Sequence, residues 1–331
     1  MKDLIEKLVN AFGPSGYEDE IATVITELIS PHVDEVRRDT LGNVIGIKRG
    51  SGKKIMLAAH MDEIGIIVTH IDDKGFLRFS NVGGLNPYGL VARRVRFADG
   101  TVGVIHHEKL DRITDLNLSK MYIDIGCTSK EEAEKKVSVG DMAVFNEGVD
   151  QLGNRVVSKV LDDRAGCAAL IAAAQQAPQT DNEIYYVFTT QEEVGTRGAK
   201  TAAFGIAPDF GIAVDVTLTG DTPEARTNNV GLGKGAAIKV KDSSVITHPK
   251  VKDFLVEVAR QNDIPYQFEV LDGGGTDAGP IHLTREGVPT GAVSIPCRYV
   301  HSASEMLDLG DFDACVKLLV AAITADLSDR F

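Results

Sequence analysis

The 331-residue sequence predicts an α/β protein, a mixed sheet with helices on both faces, interrupted by an inserted all-β segment. Three observations carry that expectation. Helical and strand-like apolar runs alternate through the first 60 residues and again after residue 156. Between them the texture changes to short β-rich runs punctuated by Gly, Asn and Asp, with no long helical pattern. The length, at roughly 150 residues per domain, corresponds to about two domains. Residues 1–64 and 156–331 are therefore expected to form one domain, and residues 65–155 a second, inserted one.

Taken in order, Leu4, Ile5, Leu8, Val9 and Phe12 recur at helical spacing and stop at the breaker cluster Gly13-Pro14-Ser15-Gly16. Ile21, Val24, Ile25, Leu28 and Ile29 form a second helical face, ended by Pro31. Strand-like runs follow at 44–48 and 54–59, the latter leading into His60. In the insertion, runs at 66–71, 76–79, 91–97, 102–105, 121–125 and 142–145 suit a small barrel or sandwich, with a helical turn or two near 129–136. Beyond residue 156 the pattern predicts helices at 165–176, 250–261 and 312–327. It predicts strands at 183–189, 210–214, 267–271 and 291–295.

Composition narrows the function. There are 35 Lys plus Arg against 48 Asp plus Glu, a formal net charge of −13, whereas nucleic-acid binding wants a basic face. The longest uncharged apolar stretch, near 165–177, falls short of the ~20 residues a membrane span needs. Acids among the first residues argue against a signal peptide, so a soluble cytoplasmic protein is expected. Cys127, Cys167, Cys297 and Cys315 are far apart and form no C-x-x-C pair, so they read as buried apolar residues.

Metal-binding side chains recur just after apolar runs: His60 and Asp62, then Asp162 and Asp163, Glu192 and Glu193, Asp215, and finally His301, three residues after Arg298. Each has an ordinary alternative. An acid before a helix is commonly a cap, and a strand-end Asp a turn former. Those alternatives leave the coincidence of five strand ends unexplained, because ligands in α/β sheets bind outside the carboxyl ends of the strands. Carboxylates gathered in one crevice need a cation. Imidazole with carboxylate suits Zn²⁺, Co²⁺ or Mn²⁺, and two histidines with three or four carboxylates are enough for two ions sharing one carboxylate. A further carboxylate outside the ligand set would take a proton from an activated water, which is metal-assisted hydrolysis.

The runs Ala58-Ala-His60-Met-Asp62-Glu63, Leu161-Asp162-Asp163-Arg164, Thr190-Gln-Glu192-Glu193-Val-Gly195, Asp215-Val-Thr, Gly273-Gly-Gly-Thr276-Asp277 and Arg298-Tyr-Val-His301-Ser together resemble the tetrahedral, or TET-type, metallo-aminopeptidases. That family includes glutamyl and deblocking aminopeptidases and proteins labelled endoglucanases. The resemblance spans nearly the whole chain and implies a di-metal exopeptidase domain interrupted by a PDZ-like β-barrel. It implies that His60, Asp162 and Asp215 hold one ion and Asp162, Glu193 and His301 the other, zinc or cobalt with manganese also compatible. Glu192 would be the general base for a metal-bridging water, and Asp62 the carboxylate that orients His60. It also implies a cis bond between Asp162 and Asp163, short peptide substrates with a free N-terminus, and dodecamers with inward-facing sites.

Substrate contacts are thinner in the sequence. Gly274, Asp277 and Arg298 are the candidates, each with an alternative as a turn or structural residue. The rival reading is an N-acyl amino acid deacylase or another di-metal amidohydrolase, including a carboxypeptidase that would use Arg298 for the substrate carboxylate. A glycosidase is disfavoured, since 6% aromatic residues and no Trp leave few sugar platforms. A catalytically silent scaffold is disfavoured because every expected ligand and the base are present.

Overall fold

A computed structural model describes residues 1–331 apart from 226, 227, 329 and 331. In chain order the helices are α1 (Lys2–Asn10), α2 (Asp19–Ile29), α3 (Pro87–Leu90), α4 (Lys130–Ala133), α5 (Leu161–Gln176), α6 (Arg197–Ile206), α7 (Pro249–Gln261), α8 (Ala278–His282) and α9 (Leu309–Thr324). Strands β1 (Glu35–Arg38), β2 (Val44–Lys48) and β3 (Lys54–His60) precede the β-rich segment. That segment holds β4 (Gly65–Ile71), β5 (Leu77–Val82), β6 (Arg94–Phe97), β7 (Val102–His107), β8 (Met121–Asp124) and β9 (Met142–Phe145). The remainder are β10 (Asp150–Leu152), β11 (Arg155–Ser158), β12 (Glu183–Thr189), β13 (Phe210–Leu218), β14 (Ala236–Lys241), β15 (Tyr266–Val270), β16 (Thr290–Arg298) and β17 (Glu305–Asp308).

Strands β4 to β9 close into a barrel in the order β4-β5-β8-β7-β6-β9, which resolves the barrel-or-sandwich alternative. Alternating residues such as Ile66, Val68, Leu77, Phe79, Ile105 and Ile123 fill its interior. The other strands form an 11-stranded sheet in the order β1-β2-β12-β3-β13-β16-β17-β11-β10, with β14 paired to β16 and β15 to β14. At its centre β12, β3, β13 and β16 run parallel. Such strands are covered on both faces and read as continuous apolar runs. Accordingly β3 is buried from Ile55 to His60 and β13 from Phe210 to Thr217.

The Ala-rich α5 is buried from Leu161 to Ala174, with α1 and α9 packed around it. A helix apolar all round belongs in a core. On the opposite face of the sheet α6 and α8 cover a second apolar cluster around Met56, Val187 and Ile281.

The structure departs from the expected elements in instructive ways. The helix expected at 165–176 carries an irregular first turn, since Asp162 and Asp163 have non-helical backbone angles. The strand expected at 210–214 continues to Leu218, so Asp215 lies inside a strand and not at its end. The run at 91–97 contributes only Arg94–Phe97, and the helix expected to reach 327 ends at Thr324. Strands β1, β10, β11, β14 and β17 and helices α6 and α8 were not expected; most are short, half-polar and recognisable only through their partners. All four cysteines are buried and free, as composition suggested.

Beneath the strand ends lies a buried ionic cluster. Lys159 Nζ donates to Glu63 Oε2 at 2.5 Å, and Arg164 Nη2 reaches Glu63 Oε1 at 3.4 Å, all three residues being almost inaccessible. Arg164 also donates to the carbonyls of Leu8 and Ala11, which ties the end of α1 to the start of α5. Removing one member strands the others without a counter-charge. Glu63→Ala is expected to cost ~3–5 kcal/mol in urea unfolding; a loss below about 1 kcal/mol would show that the cluster is solvated.

Candidate active site

Parallel strands β3 and β12 end together, His60 opposite Thr189. By contrast β13 pairs with β3 only as far as Ala213 opposite Ala58. Beyond that point the two strands part, and His60 and Asp215 meet across the opening with Nε2 and Oδ1 3.9 Å apart. A split between parallel strands is where α/β sheets form their ligand crevice.

Asp162 joins two groups of side chains. Its Oδ1 lies 3.0 Å from His60 Nε2, and its Oδ2 lies 3.2 Å from His301 Nε2. His301 Nε2 is in turn 3.3 Å from Glu193 Oε2. Potential ligand atoms of His60, Asp162 and Asp215 lie within 4.8 Å of one another, as do those of Asp162, Glu193 and His301. The six other histidines belong to no such group among the described residues. The peptide bond between Asp162 and Asp163 is cis.

The neighbouring acids have distinct jobs. Asp163 caps the regular part of α5: its Oδ1 accepts the Gly166 amide at 2.9 Å, and a Cβ on Gly166 would fall 2.3 Å from Oδ2. Asp62, fully buried, accepts from Ser15 Oγ at 2.6 Å and from the amides of Glu192 and Glu193 at 3.0 and 3.2 Å. It thereby holds the loop that presents both glutamates. His60 Nδ1 lies 3.1 Å from the Asp62 carbonyl and 3.5 Å from its carboxylate.

The substrate-side candidates fall differently. Asp277 is buried, accepts from Thr189 Oγ1 at 2.6 Å through Oδ2, and leaves Oδ1 without a partner. Gly274 is exposed with φ +81°, and nothing lies within 4 Å of where a Cβ would be. Arg298 is already engaged: Nε and Nη2 donate to the two oxygens of Asp221 at 2.9 and 2.8 Å.

Electrostatics show what the cluster lacks. Burial pushes the Glu192 and Asp215 carboxyls well up, and each is raised further by neighbouring carboxylates. Glu193 is raised by burial and by Asp162. Burial works the same way on Asp162, but hydrogen bonds from His301 and His60 outweigh it and hold that carboxyl low. Burial lowers His301, yet its bonds to Asp162 and Glu193 carry it to about 11. Burial likewise lowers His60, yet its bonds to Asp162 and Asp62 outweigh this and raise it. Glu193 Oε1 is buried with no hydrogen-bond partner. An imidazole–carboxylate donor set with an orphaned oxygen fits divalent zinc, cobalt or manganese, whose binding displaces protons from such groups.

Several contributors were not foreseen. Glu305 accepts the amides of Asp162 and His301. Glu18 accepts those of Gly16 and Gln191 at 2.7 and 3.1 Å. After β5, a Cβ on Gly83 would fall 2.8 Å from Ile64, and one on Gly84 only 2.7 Å from His301 Nδ1. Val160, Gln191, Tyr299 and His301 all have positive φ near the site, a conformation non-glycine residues adopt only when their surroundings hold them there. Acids at 18 and 305 carry no spacing signal, since their partners are distant main-chain amides.

Fold and cluster together define an α/β protein whose crevice holds two donor groups able to bind metal ions. More narrowly, the chain belongs to the M42 glutamyl aminopeptidase family, whose profile covers residues 42–318. A lysyl aminopeptidase of Pyrococcus furiosus is 38% identical over 335 residues, 97% of this chain and 96% of that one. Among solved structures, an aminopeptidase from the archaeon Desulfurococcus kamchatkensis superposes with a TM-score of 0.94 at 44% identity, over 98% of this chain and 94% of that one. A Pyrococcus horikoshii TET1 peptidase, described as assembling into a tetrahedron or a large octahedral shell, gives 0.90 at 34% identity over 98% and 99%. The chain is thus a hydrolase of peptide bonds, and its family is metal-dependent.

Glu18 supplies a pH signature. Burial, with the Asp62 charge adding, pushes its carboxyl up to about 7 from a model-peptide value of 4.5, against the opposing amide bonds. An acid raised on folding favours the folded state below its unfolded value, and this advantage is lost as pH rises through about 7. At ~1.4 kcal/mol per pKa unit the effect is at most about 3.5 kcal/mol. Wild-type stability minus that of Glu18→Gln should therefore fall between pH 4.5 and 7 in urea titrations. Parallel curves would refute the assignment.

Proposed function

We propose that the chain is an aminopeptidase that removes N-terminal residues from short peptides using two divalent ions, zinc or cobalt, with manganese also compatible. The observation that carries this is the Asp162 carboxylate, whose two oxygens each face a different histidine. In this reading His60, Asp162 and Asp215 hold one ion, and Asp162, Glu193 and His301 the other. Bound there, the pair would supply Lewis acidity toward the scissile carbonyl and make water acidic enough to attack at neutral pH.

Glu192, next to Glu193 but outside both groups, is the base. Its carboxylate takes a proton from the attacking water and delivers it to the departing amine, so that C–N cleavage ends in a free acid and a free amine. Asp62 acts through it, by fixing the Glu192 and Glu193 amides and lying beside His60 Nδ1. Surplus carboxylate suits a substrate's free α-ammonium group. Asp277, with its free oxygen, and Gly274, with its exposed backbone, are the candidates for holding the peptide. Arg298 belongs with Asp221 and enters as a loop anchor.

For the molecule as a whole, we assign residues 1–64 and 156–331 to catalysis and 65–155 to assembly, although β10, inside the latter range, pairs through β11 with the main sheet. The TET1 likeness supports a large homo-oligomeric shell, for which we propose a homododecamer with enclosed sites; the net charge of −13 supports a cytoplasmic protein without nucleic-acid or membrane partners. Among the described residues no helix is long and apolar enough to cross a membrane.

The test is hydrolysis of free and N-acetylated amino-acid amides and tripeptides by metal-stripped, Zn²⁺- or Co²⁺-restored and Glu192→Gln enzyme. Metal-dependent release from free termini is expected, with kcat down about 10²–10⁴-fold in the variant. Turnover of acetylated substrates alone would instead establish a deacylase.

A further inference from the structure

We infer that Glu305 is a positioning residue of the metal site, a single carboxylate that sets the spacing between Asp162 and His301. The inference rests on the two-ion reading above. Glu305 is 2% exposed and opens β17. Its Oε2 accepts the Asp162 amide at 2.8 Å and its Oε1 accepts the His301 amide at 2.8 Å.

The sheet explains why one residue reaches both. Strand β17 is flanked by β11, whose chain leads to Asp162, and by β16, whose chain leads to His301. Glu305 pairs with Ser158 at the last rung of β11, where the two flanking chains diverge. Both amides need an external acceptor. Asp162 sits in the first turn of α5, where amides have no intrahelical partner, and His301 has φ 63° outside any strand. The Asp162 amide is buried and the His301 amide partly so, and such donors are costly to leave unpaired.

An acceptor from water or a loop carbonyl would satisfy each amide separately. A carboxylate, planar and with its two oxygens at fixed separation, satisfies both and couples them. The side chains of these same residues meet in the site, His301 Nε2 lying 3.2 Å from Asp162 Oδ2. Glu305 meets both residues at their amides, so it acts through the backbone. Groups that orient metal ligands in this way typically change metal affinity or activity by about 10–100-fold when replaced.

The test uses the full-length protein, stripped of metal by chelation and titrated with Co²⁺. Uptake is followed by visible ligand-field absorption and calorimetry, with circular dichroism to check the fold. Glu305→Gln keeps the shape but turns an NH₂ group toward one of the two amides. It should remain folded, bind at least one of the two Co²⁺ ions about 10–100-fold more weakly with an altered spectrum, and lose kcat with KM little changed at saturating metal. Glu305→Asp, one methylene short, is the second variant should the first not fold, and the same outcome is expected.

Wild-type affinity and spectrum in a folded variant would overturn the inference while leaving the two-ion reading standing. Failure of both variants to fold would overturn it in favour of a purely structural role. A wild-type protein that takes up fewer than two Co²⁺ would bring down the two-ion reading and the inference with it.

Discussion

Everything about this molecule answers to one electrostatic constraint: a group of carboxylates is held out of water where a parallel sheet comes apart. Such charges repel one another and resist desolvation, so the surrounding chain must oppose dispersal. It does so by anchoring the backbone on both sides. Below the strand ends, Glu63, Lys159 and Arg164 form a closed ionic group joining the β3 exit to the α5 entry. On the far side, Lys239 in β14 pairs with buried Glu269 and lies 3.3 Å from Asp242, with its charge felt at Asp215. These cations steady the frame and leave the crevice itself in need of positive charge.

The frame is stiff where it matters. Gly166 lets the α5 backbone close against Asp163, and Asp62 gathers three donors from two segments. Non-glycine residues with positive φ stand immediately beside Glu192 and at His301. A backbone held in such conformations exchanges conformational freedom for placement, which chemistry at fixed geometry requires.

Much of this was legible in the sequence because it depends on residues close together along the chain. His60 with Asp62, Asp162 with Asp163 and Glu192 with Glu193 sit at the ends of apolar runs long enough to be read as strands or helix starts. The β-rich texture of the insertion announced itself through the spacing of its short runs. What stayed hidden was settled by distant partners. Strand β17 is four residues of mixed polarity, and its place between β11 and β16 is a tertiary fact. Arg298 read as a candidate substrate contact because its partner Asp221 lies far along the chain on the loop after β13, and Asp215 looked like a strand end because nothing local shows that β13 continues. Glu18 and Glu305 serve amides that no pattern of side chains reveals.

Gly84 follows the last strand of a barrel hairpin, yet its Cα faces the ring of His301, and Ala303, two residues past that histidine, belongs to the barrel's own apolar interior. The two units therefore share a wall at the site. Mechanical coupling across such a wall is reciprocal, as any thermodynamic linkage must be. Variation in this barrel is constrained from within by the close approach of Gly84 to His301, so its inner edge should drift more slowly between related enzymes than the β7–β8 surface, where His106, His107 and Tyr122 cluster.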